Sequence, residues 1–349
     1  MMNLVGRTKN PPAMTLEGVL GPNSRLDEAE GLAIDAPDAM AVHPDGRLLV
    51  SSGKQVVVLP SWGAASERFA MLDAAVTALC VSRSGQVAVG LEGGRLSMFD
   101  SSGQPLNGWE LPAGQTVSVV DCAFRGDDEL LLVDCGYPVA REVLARAAWD
   151  AAPRGKLLSL RRSGEVEVIH GKLHAPMGLS LDQAGRPQVS LLERAAIVDE
   201  RGAAIRSGLP GYLGRLRQTQ QGYLLACLAR RDPLIEFLKT ERGFVATMKD
   251  TVDVAHWIAP RVSPEFSHDF PIELGATRLF GEVKPWAPSF SYGLLIETDA
   301  QLMPVGSLQS RANGRRHAIS DVAIWDEAIV AVSKGSGELL KLARGCSVS

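Results

Sequence analysis

The stretch Asp38-Ala-Met-Ala-Val-His-Pro-Asp-Gly-Arg-Leu-Leu-Val-Ser-Ser-Gly53 sets the pattern for the whole chain. A short apolar segment, a Pro-Asp-Gly turn and a second apolar segment ending in small residues are together typical of a β-hairpin. The turn glycine Gly46 has a counterpart in Gly85, 39 residues further on. Related units begin at Ala75, Val117, Ala175, Leu209 and Ile319.

A repeat of about 40 residues with several short strands per unit is typical of a β-propeller. One unit cannot bury its own apolar face, so the units must stack as blades around an axis. The six units therefore predict an all-β fold, a six-bladed β-propeller, over residues 31–345. Residues 1–30 are predicted to be an irregular lead-in, and about 229–290 a helical and loop insertion in blade five that forms a lid. A pair of β-sandwiches would explain short strands but not their fixed order.

The amino-acid composition of the chain limits the classes of binding partner. The net charge of −4 gives no general attraction to nucleic acid or to an anionic membrane. No apolar run reaches the roughly 20 residues that span a bilayer, and the N-terminus has no signal-peptide core. The five cysteines form no CxxC pair, and we expect reduced thiols and a cytoplasmic protein whose partner is a small molecule. The sequence does not indicate an oligomeric state.

Several segments resemble the strictosidine synthase-like group, within the superfamily of calcium-dependent lactonases, gluconolactonases and paraoxonases. The matching segments are Asp38 to Leu48, Gly155 to Leu160, Ala175 to Asp182, Leu209 to Tyr212, and the join from Tyr292 through the arginine-rich loop at Arg311 to Ser320. The resemblance implies the six-bladed fold over about residues 30–345. It implies less about activity, because one fold hosts several chemistries.

Enzymes of this superfamily hold calcium at the mouth of the axial channel, and the resemblance implies where its ligands would stand here. The first is Asp38, and the second is Val120 or its neighbour Asp121, depending on register. At the other two positions stand Met177, a thioether unsuited to calcium, and Arg215, a fixed cation. We therefore expect no cofactor and an incomplete calcium site. Arg215 either takes the place of the metal, pairing with a carboxylate or a substrate, or forms a salt bridge in a surface loop.

The predicted function is hydrolysis of a lactone or ester at one end of the channel. His317 beside Asp321 would be a general base, and Asp38 a further catalytic group. The predicted substrate-binding residues are Arg215, Asp121, Glu193, Arg316 and Met177. The alternative is a non-catalytic binding or scaffolding propeller. An amine–aldehyde condensing lyase is disfavoured, because the glutamate that plant strictosidine synthases use early in blade six is absent and Asp321 is the nearest carboxylate.

Overall fold

The computed structural model describes residue 13 and residues 15–138, 142–264, 278–279, 282–284 and 290–343. Its strands form six blades, five of four strands and one of three, with a separate two-stranded hairpin. This confirms the predicted six-bladed propeller. Among the described residues, no helix is long and apolar enough to cross a membrane.

The strands are named in chain order. Those of the first half are β1 Glu30–Ala33, β2 Met40–Val42, β3 Leu48–Ser52, β4 Gln55–Leu59, β5 Glu67–Met71, β6 Val76–Val81, β7 Val87–Leu91, β8 Arg95–Phe99, β9 Val119–Phe124, β10 Glu129–Asp134, β11 Gly155–Arg161 and β12 Val166–Leu173. Those of the second half are β13 Pro176–Leu181, β14 Pro187–Leu191, β15 Ala196–Asp199, β16 Ala204–Ser207, β17 Gly211–Gln218, β18 Gly222–Arg230, β19 Arg278–Leu279, β20 Glu282–Val283, β21 Gly293–Asp299, β22 Pro304–Ser310, β23 Ile319–Trp325, β24 Ala328–Ser333 and β25 Glu338–Leu342.

The ring is closed by strand β1. It pairs antiparallel with β25, so the last blade has the strand order β1-β25-β24-β23. The N-terminal strand thereby becomes the outer strand of the C-terminal blade. A 3-10 turn, Gly18–Leu20, precedes it.

Most tight turns between neighbouring strands contain a glycine at positive φ and, in several blades, an aspartate. Gly46 has a φ of 92° and donates its N–H to the His43 carbonyl at 2.9 Å. Such positive φ values favour glycine because it has no Cβ. In blade four, the Asp182 carboxylate accepts from the N–H groups of Ala184 and Arg186. Side-chain and backbone turn chemistry therefore fix the hairpins that the repeat predicted.

The core is divided among the gaps between blades. Six clusters of buried apolar residues occur, one for each pair of neighbouring blades. Leu49 and Leu79 share the cluster between blades one and two, and Leu295 and Leu340 that between blades five and six. Face-to-face stacking therefore buries what no single blade could bury.

Two insertions pack against each other at one end of the propeller. Helix α1, Val143–Ala147, lies between β10 and β11, while α2, Pro233–Leu238, and α3, Arg242–Thr251, follow β18. Lys249 of α3 donates its Nζ to the Trp149 carbonyl at 2.5 Å. Residues 265–277, 280–281 and 285–289 of the predicted insertion lie outside the described residues.

The sequence predicts helical structure over residues 229–260 of this insertion, most clearly at 233–239 and 252–257. The structure places α2, α3 and a 3-10 turn, Val254–His256, within this range. The segment 252–257 therefore contains only that short turn, and the longer helix of the insertion is α3.

Candidate functional site

The centre of the propeller is organised by β17, the innermost strand of blade five. Arg215 and Arg217 stand two residues apart on this strand, so both side chains point to the same side. Both guanidinium groups reach the axis of the ring, where strands of the other blades meet them. The arrangement of charged groups around these two arginines is termed the axial plug.

Arg215 is held mainly by backbone carbonyls. Its Nη1 donates to the Asp38 carbonyl at 2.7 Å and to the Ser320 carbonyl at 3.1 Å, and its Nη2 donates to the carbonyls of Thr77 at 2.7 Å and Val120 at 2.9 Å. The Asp38 carboxylate adds a contact at 3.2 Å. One cation thus joins blades one, two, three and six to blade five.

Arg217 forms the second layer of the plug. Its Nη1 and Nη2 donate to the two carboxylate oxygens of Asp121 at 2.8 and 2.9 Å. Its Nε lies 3.0 Å from Oδ1 of Asp321, and its Nη2 donates to Oδ2 at 3.1 Å. Planar, bidentate pairing of this kind is among the strongest hydrogen bonding available to a carboxylate. Burial alone would lower the pKa of Arg217, but Asp121 and Asp321 outweigh it and raise that pKa.

The two aspartates of the plug also link neighbouring blades. Asp121 accepts the Leu179 N–H of blade four at 2.8 Å, and Asp321 accepts the Met40 N–H of blade one at 3.0 Å. Both carboxylates have no exposed surface. All four carboxylate oxygens therefore accept hydrogen bonds within the fold.

Asp38 and Lys334 are the remaining charged residues of the plug, on the side that faces helix α1. Lys334 Nζ lies 3.3 Å from the second oxygen of Asp38, and about a fifth of the Asp38 side chain is exposed. Burial would raise the pKa of Asp38, but the charges of Lys334 and Arg215 outweigh it and lower that pKa. Three cations and three carboxylates make the whole plug electrically neutral.

A small cavity lies above the plug, on the side of the helical insertions. Its water-accessible volume is about 30 Å³, which is room for roughly two water molecules. Its polar lining residues are Asp38, Thr77, Arg215, Ser320 and Lys334. Its apolar lining residues are Val120, Val143, Leu144, Met177, Leu228 and Val262. Val143 and Leu144 belong to α1, so that helix forms part of the cavity wall.

A second cavity opens on the other side of the plug. It has a volume of about 380 Å³ and is lined by the inner strands of all six blades, with Arg217 among its lining residues. Most of its lining residues are apolar, and Cys80 and Cys122 are among them. The plug therefore separates the axial channel into two unequal cavities.

The residues at the family's metal position do not fit calcium. Calcium needs six to eight converging oxygen ligands. Here the carbonyls of Asp38, Thr77, Val120 and Ser320 already accept from a permanently charged guanidinium, and Met177 contributes only a thioether at the cavity. A divalent cation would have to displace Arg215 from an environment that holds it by five hydrogen bonds.

Three residues predicted from the sequence lie elsewhere. His317 is fully buried, with Nδ1 at 2.9 Å from Ser291 Oγ and Nε2 at 2.9 Å from the Arg311 carbonyl. Glu193 pairs with Lys239 of the α2 segment at 2.9 Å. Arg316 pairs with Glu338 at 3.2 Å, and its Nη1 donates to the Leu26 carbonyl at 2.8 Å, which anchors the N-terminal segment to blade six. None of the three is among the described residues that line the cavity above the plug.

Two important residues were not predicted from the sequence. The signal for Arg217 was its spacing of two from Arg215 in a strand, which places both on one face. Lys334 gave no comparable signal, because it follows the last residue of β24 and meets Asp38 only through closure of the ring.

The comparisons with known proteins support the fold. No protein-family model matches the chain, and no curated protein does either. Similar solved structures are six-bladed propellers of the gluconolactonase and regucalcin type. One is a gluconolactonase from Xanthomonas campestris, at 14% identity over 96% of this chain and 95% of that one, with a TM-score of 0.53. Another is the calcium-binding protein regucalcin from Agrobacterium tumefaciens, at 9% identity over 90% and 93%, with a TM-score of 0.55.

Proposed function

We propose that this chain is a calcium-independent propeller of the lactonase-like fold that binds a small organic acid in the cavity above the plug. The observation that carries the proposal is the Arg215 guanidinium, which occupies the axial carbonyl oxygens that would otherwise face a metal. The strictosidine synthase-like resemblance remains part of the proposal.

The chemistry of the cavity favours an anionic group on the ligand. Both hydroxyl groups in the lining are already committed, since Thr77 donates to the Val119 carbonyl and Ser320 to the Asp38 carbonyl. Lys334 is about 29% exposed and carries three donors, one of which is directed to Asp38. Its remaining donors suit a carboxylate.

The apolar lining favours an aliphatic body. Val143, Leu144 and Leu228 face the same cavity as Lys334. A cavity with room for only about two waters cannot hold an organic acid unless its wall moves. We infer that α1, which supplies two of these side chains, shifts outward when ligand binds.

A panel of short aliphatic carboxylic acids and their neutral amides tests this proposal. We expect acids, but not amides, to raise the melting temperature, because only ligands that bind the native state stabilise it. Lys334→Gln should weaken binding by about 10-fold or more, the usual effect of losing a charged hydrogen bond. The exposed Lys172→Gln is the matched control and should bind as the wild type does. Equal effects of acids and amides, or unchanged affinity in Lys334→Gln, would contradict the proposal.

Hydrolysis of a lactone or ester is the second candidate function. Lys334 beside Asp38 favours it, because an ammonium group can stabilise the oxyanion that develops at a carbonyl. The lowered pKa of Asp38 makes it a weak base, which is why binding ranks first. The predicted catalytic roles of His317 and Asp321 remain predictions, and both residues are engaged in buried hydrogen bonds.

A lactone and aryl-ester panel separates the two candidates. If the chain is a hydrolase, Asp38→Asn and Lys334→Gln should each lose at least about 100-fold in kcat/KM relative to Lys172→Gln. Identical trace rates in all of these proteins would leave binding as the function. Variants at His317 and Asp321 are less useful, because both side chains are buried and their loss would disturb folding.

A further inference from the structure

The cavity on the far side of the plug contains a pair of thiols that the proposed function does not use. Cys80 lies on β6, the inner strand of blade two, and Cys122 lies on β9, the inner strand of blade three. Both line this cavity, and both are free cysteines. Cys80 is partly exposed and Cys122 is buried, so a reagent in the cavity meets Cys80 first.

The register of the two strands brings the thiols to the same level. The carbonyls of Thr77 and Val120 accept from the same atom, Arg215 Nη2, and Thr77 Oγ1 donates to the Val119 carbonyl at 2.6 Å. The Thr77–Val119 contact sets the two strands level at these residues; Cys80 is three residues beyond Thr77, and Cys122 is three residues beyond Val119. The two positions therefore lie side by side on neighbouring inner strands.

The side chains also face one another. Cys122 belongs to the apolar cluster between blades two and three, and Cys80 packs against that cluster. The two cysteines thus stand on neighbouring inner strands, line one cavity and share one apolar cluster, which is the placement that a disulfide between these strands requires.

We propose that Cys80 and Cys122 form a redox-active pair that a low-molecular-weight disulfide, such as oxidised glutathione, converts to a disulfide joining blades two and three. The Cys80 thiolate attacks the reagent, forming a mixed disulfide and releasing one glutathione thiolate. The Cys122 thiolate then attacks Cys80 Sγ, which closes the protein disulfide and releases the second. Two electrons pass from the protein to the reagent, and the two protons lost by the cysteines are taken up by the released thiolates.

Burial of the thiol pair favours this product over a bound thiophilic metal ion. Burial raises the pKa of Cys80, so a pair of thiolates around a metal would be costly there, whereas a disulfide is neutral. For the same reason oxidation should be slow at neutral pH and faster at higher pH. Because Cys122 follows Asp121, the bond would also fix the strand that carries one carboxylate of the axial plug.

The test treats the full chain with oxidised glutathione at pH 8.5 and then alkylates the remaining thiols. Before alkylation, the mass of the oxidised protein should be about 2 Da lower than that of the reduced protein, and two fewer cysteines should then be alkylated. Digestion should yield a Cys80–Cys122 crosslinked peptide. The melting temperature should rise by roughly 5 °C, and dithiothreitol should reverse all of these changes. Cys80→Ser and Cys122→Ser should each abolish the crosslink, whereas Cys227→Ser in blade five should retain it. A native protein that shows no crosslink after prolonged oxidation, a different cysteine pairing, or a lowered melting temperature on oxidation would overturn the proposal. The proposal would also be overturned if the two thiols bound a copper(I) ion and kept it bound in the presence of oxidised glutathione.

Discussion

Arg215→Met is expected to destabilise the propeller by about 3–5 kcal/mol in urea unfolding at pH 7. The substitution keeps a long apolar stem but removes the donors for the carbonyls of Asp38, Thr77, Val120 and Ser320. Buried carbonyls without partners are costly, and methionine cannot replace the links among five blades. The position is 4% exposed, so water cannot readily take over these bonds.

Arg186→Met is the matched control for this substitution. Its side chain is 72% exposed and pairs with Asp182 within one turn. Exposed pairs contribute little, so we expect a change within about 0.5 kcal/mol. If Arg215→Met were as stable as Arg186→Met, the axial carbonyls would not depend on the guanidinium.

Arg217→Met is expected to make stability depend strongly on pH. In this variant Asp121 and Asp321 remain buried and lose their hydrogen-bonded guanidinium, keeping only the more distant Arg215 Nε at 3.6 and 3.8 Å. Burial already raises the pKa of Asp321, and without Arg217 the repulsion from Asp121 would raise that folded-state pKa further above the unfolded value. A group with a raised carboxyl pKa favours the folded state at low pH, and this advantage is lost as pH rises through the raised value. The deficit relative to wild type should therefore grow between pH 5 and pH 8, to about 3–5 kcal/mol.

A combined variant provides the check on that explanation. Arg217→Met with Asp121→Asn and Asp321→Asn removes both carboxylate charges while keeping similar side-chain volumes. We expect it to lose the pH dependence and to recover part of the stability at pH 8. A deficit in Arg217→Met that is the same at pH 5 and pH 8 would show that the carboxylates are not the cause.

The sequence predicted the architecture because the fold depends on repeated local features. Glycines such as Gly46 and Gly185 adopt positive φ in most of the turns, and the apolar segments between them must be buried. Both features are visible in the order of residues alone. Strand β1 shows the limit of this reasoning, since its pairing with β25 depends on closure of the ring.

The site was only partly predictable. The resemblance indicated Asp38, Asp121 and Arg215 as residues near the axis, and the structure brings all three to the plug. However, Arg215 is held mostly by backbone carbonyls. Every residue has a backbone carbonyl, so the sequence does not indicate which of them will bind the guanidinium. His317 stood out because histidine is a common catalytic base, yet its neighbours Ser291 and Arg311 could not be identified as partners before the fold was known.

Calcium binding by the purified wild-type protein tests the central claim most directly. Equilibrium dialysis at 1 mM radioactive calcium and about 0.15 M KCl, where weak surface binding is screened, measures ions bound per chain. Because Arg215 occupies the axial carbonyls, we predict binding well below one ion per chain and no change in Asp38→Asn. One calcium ion per chain in the wild type, lost in Asp38→Asn, would contradict the replacement of the metal by Arg215.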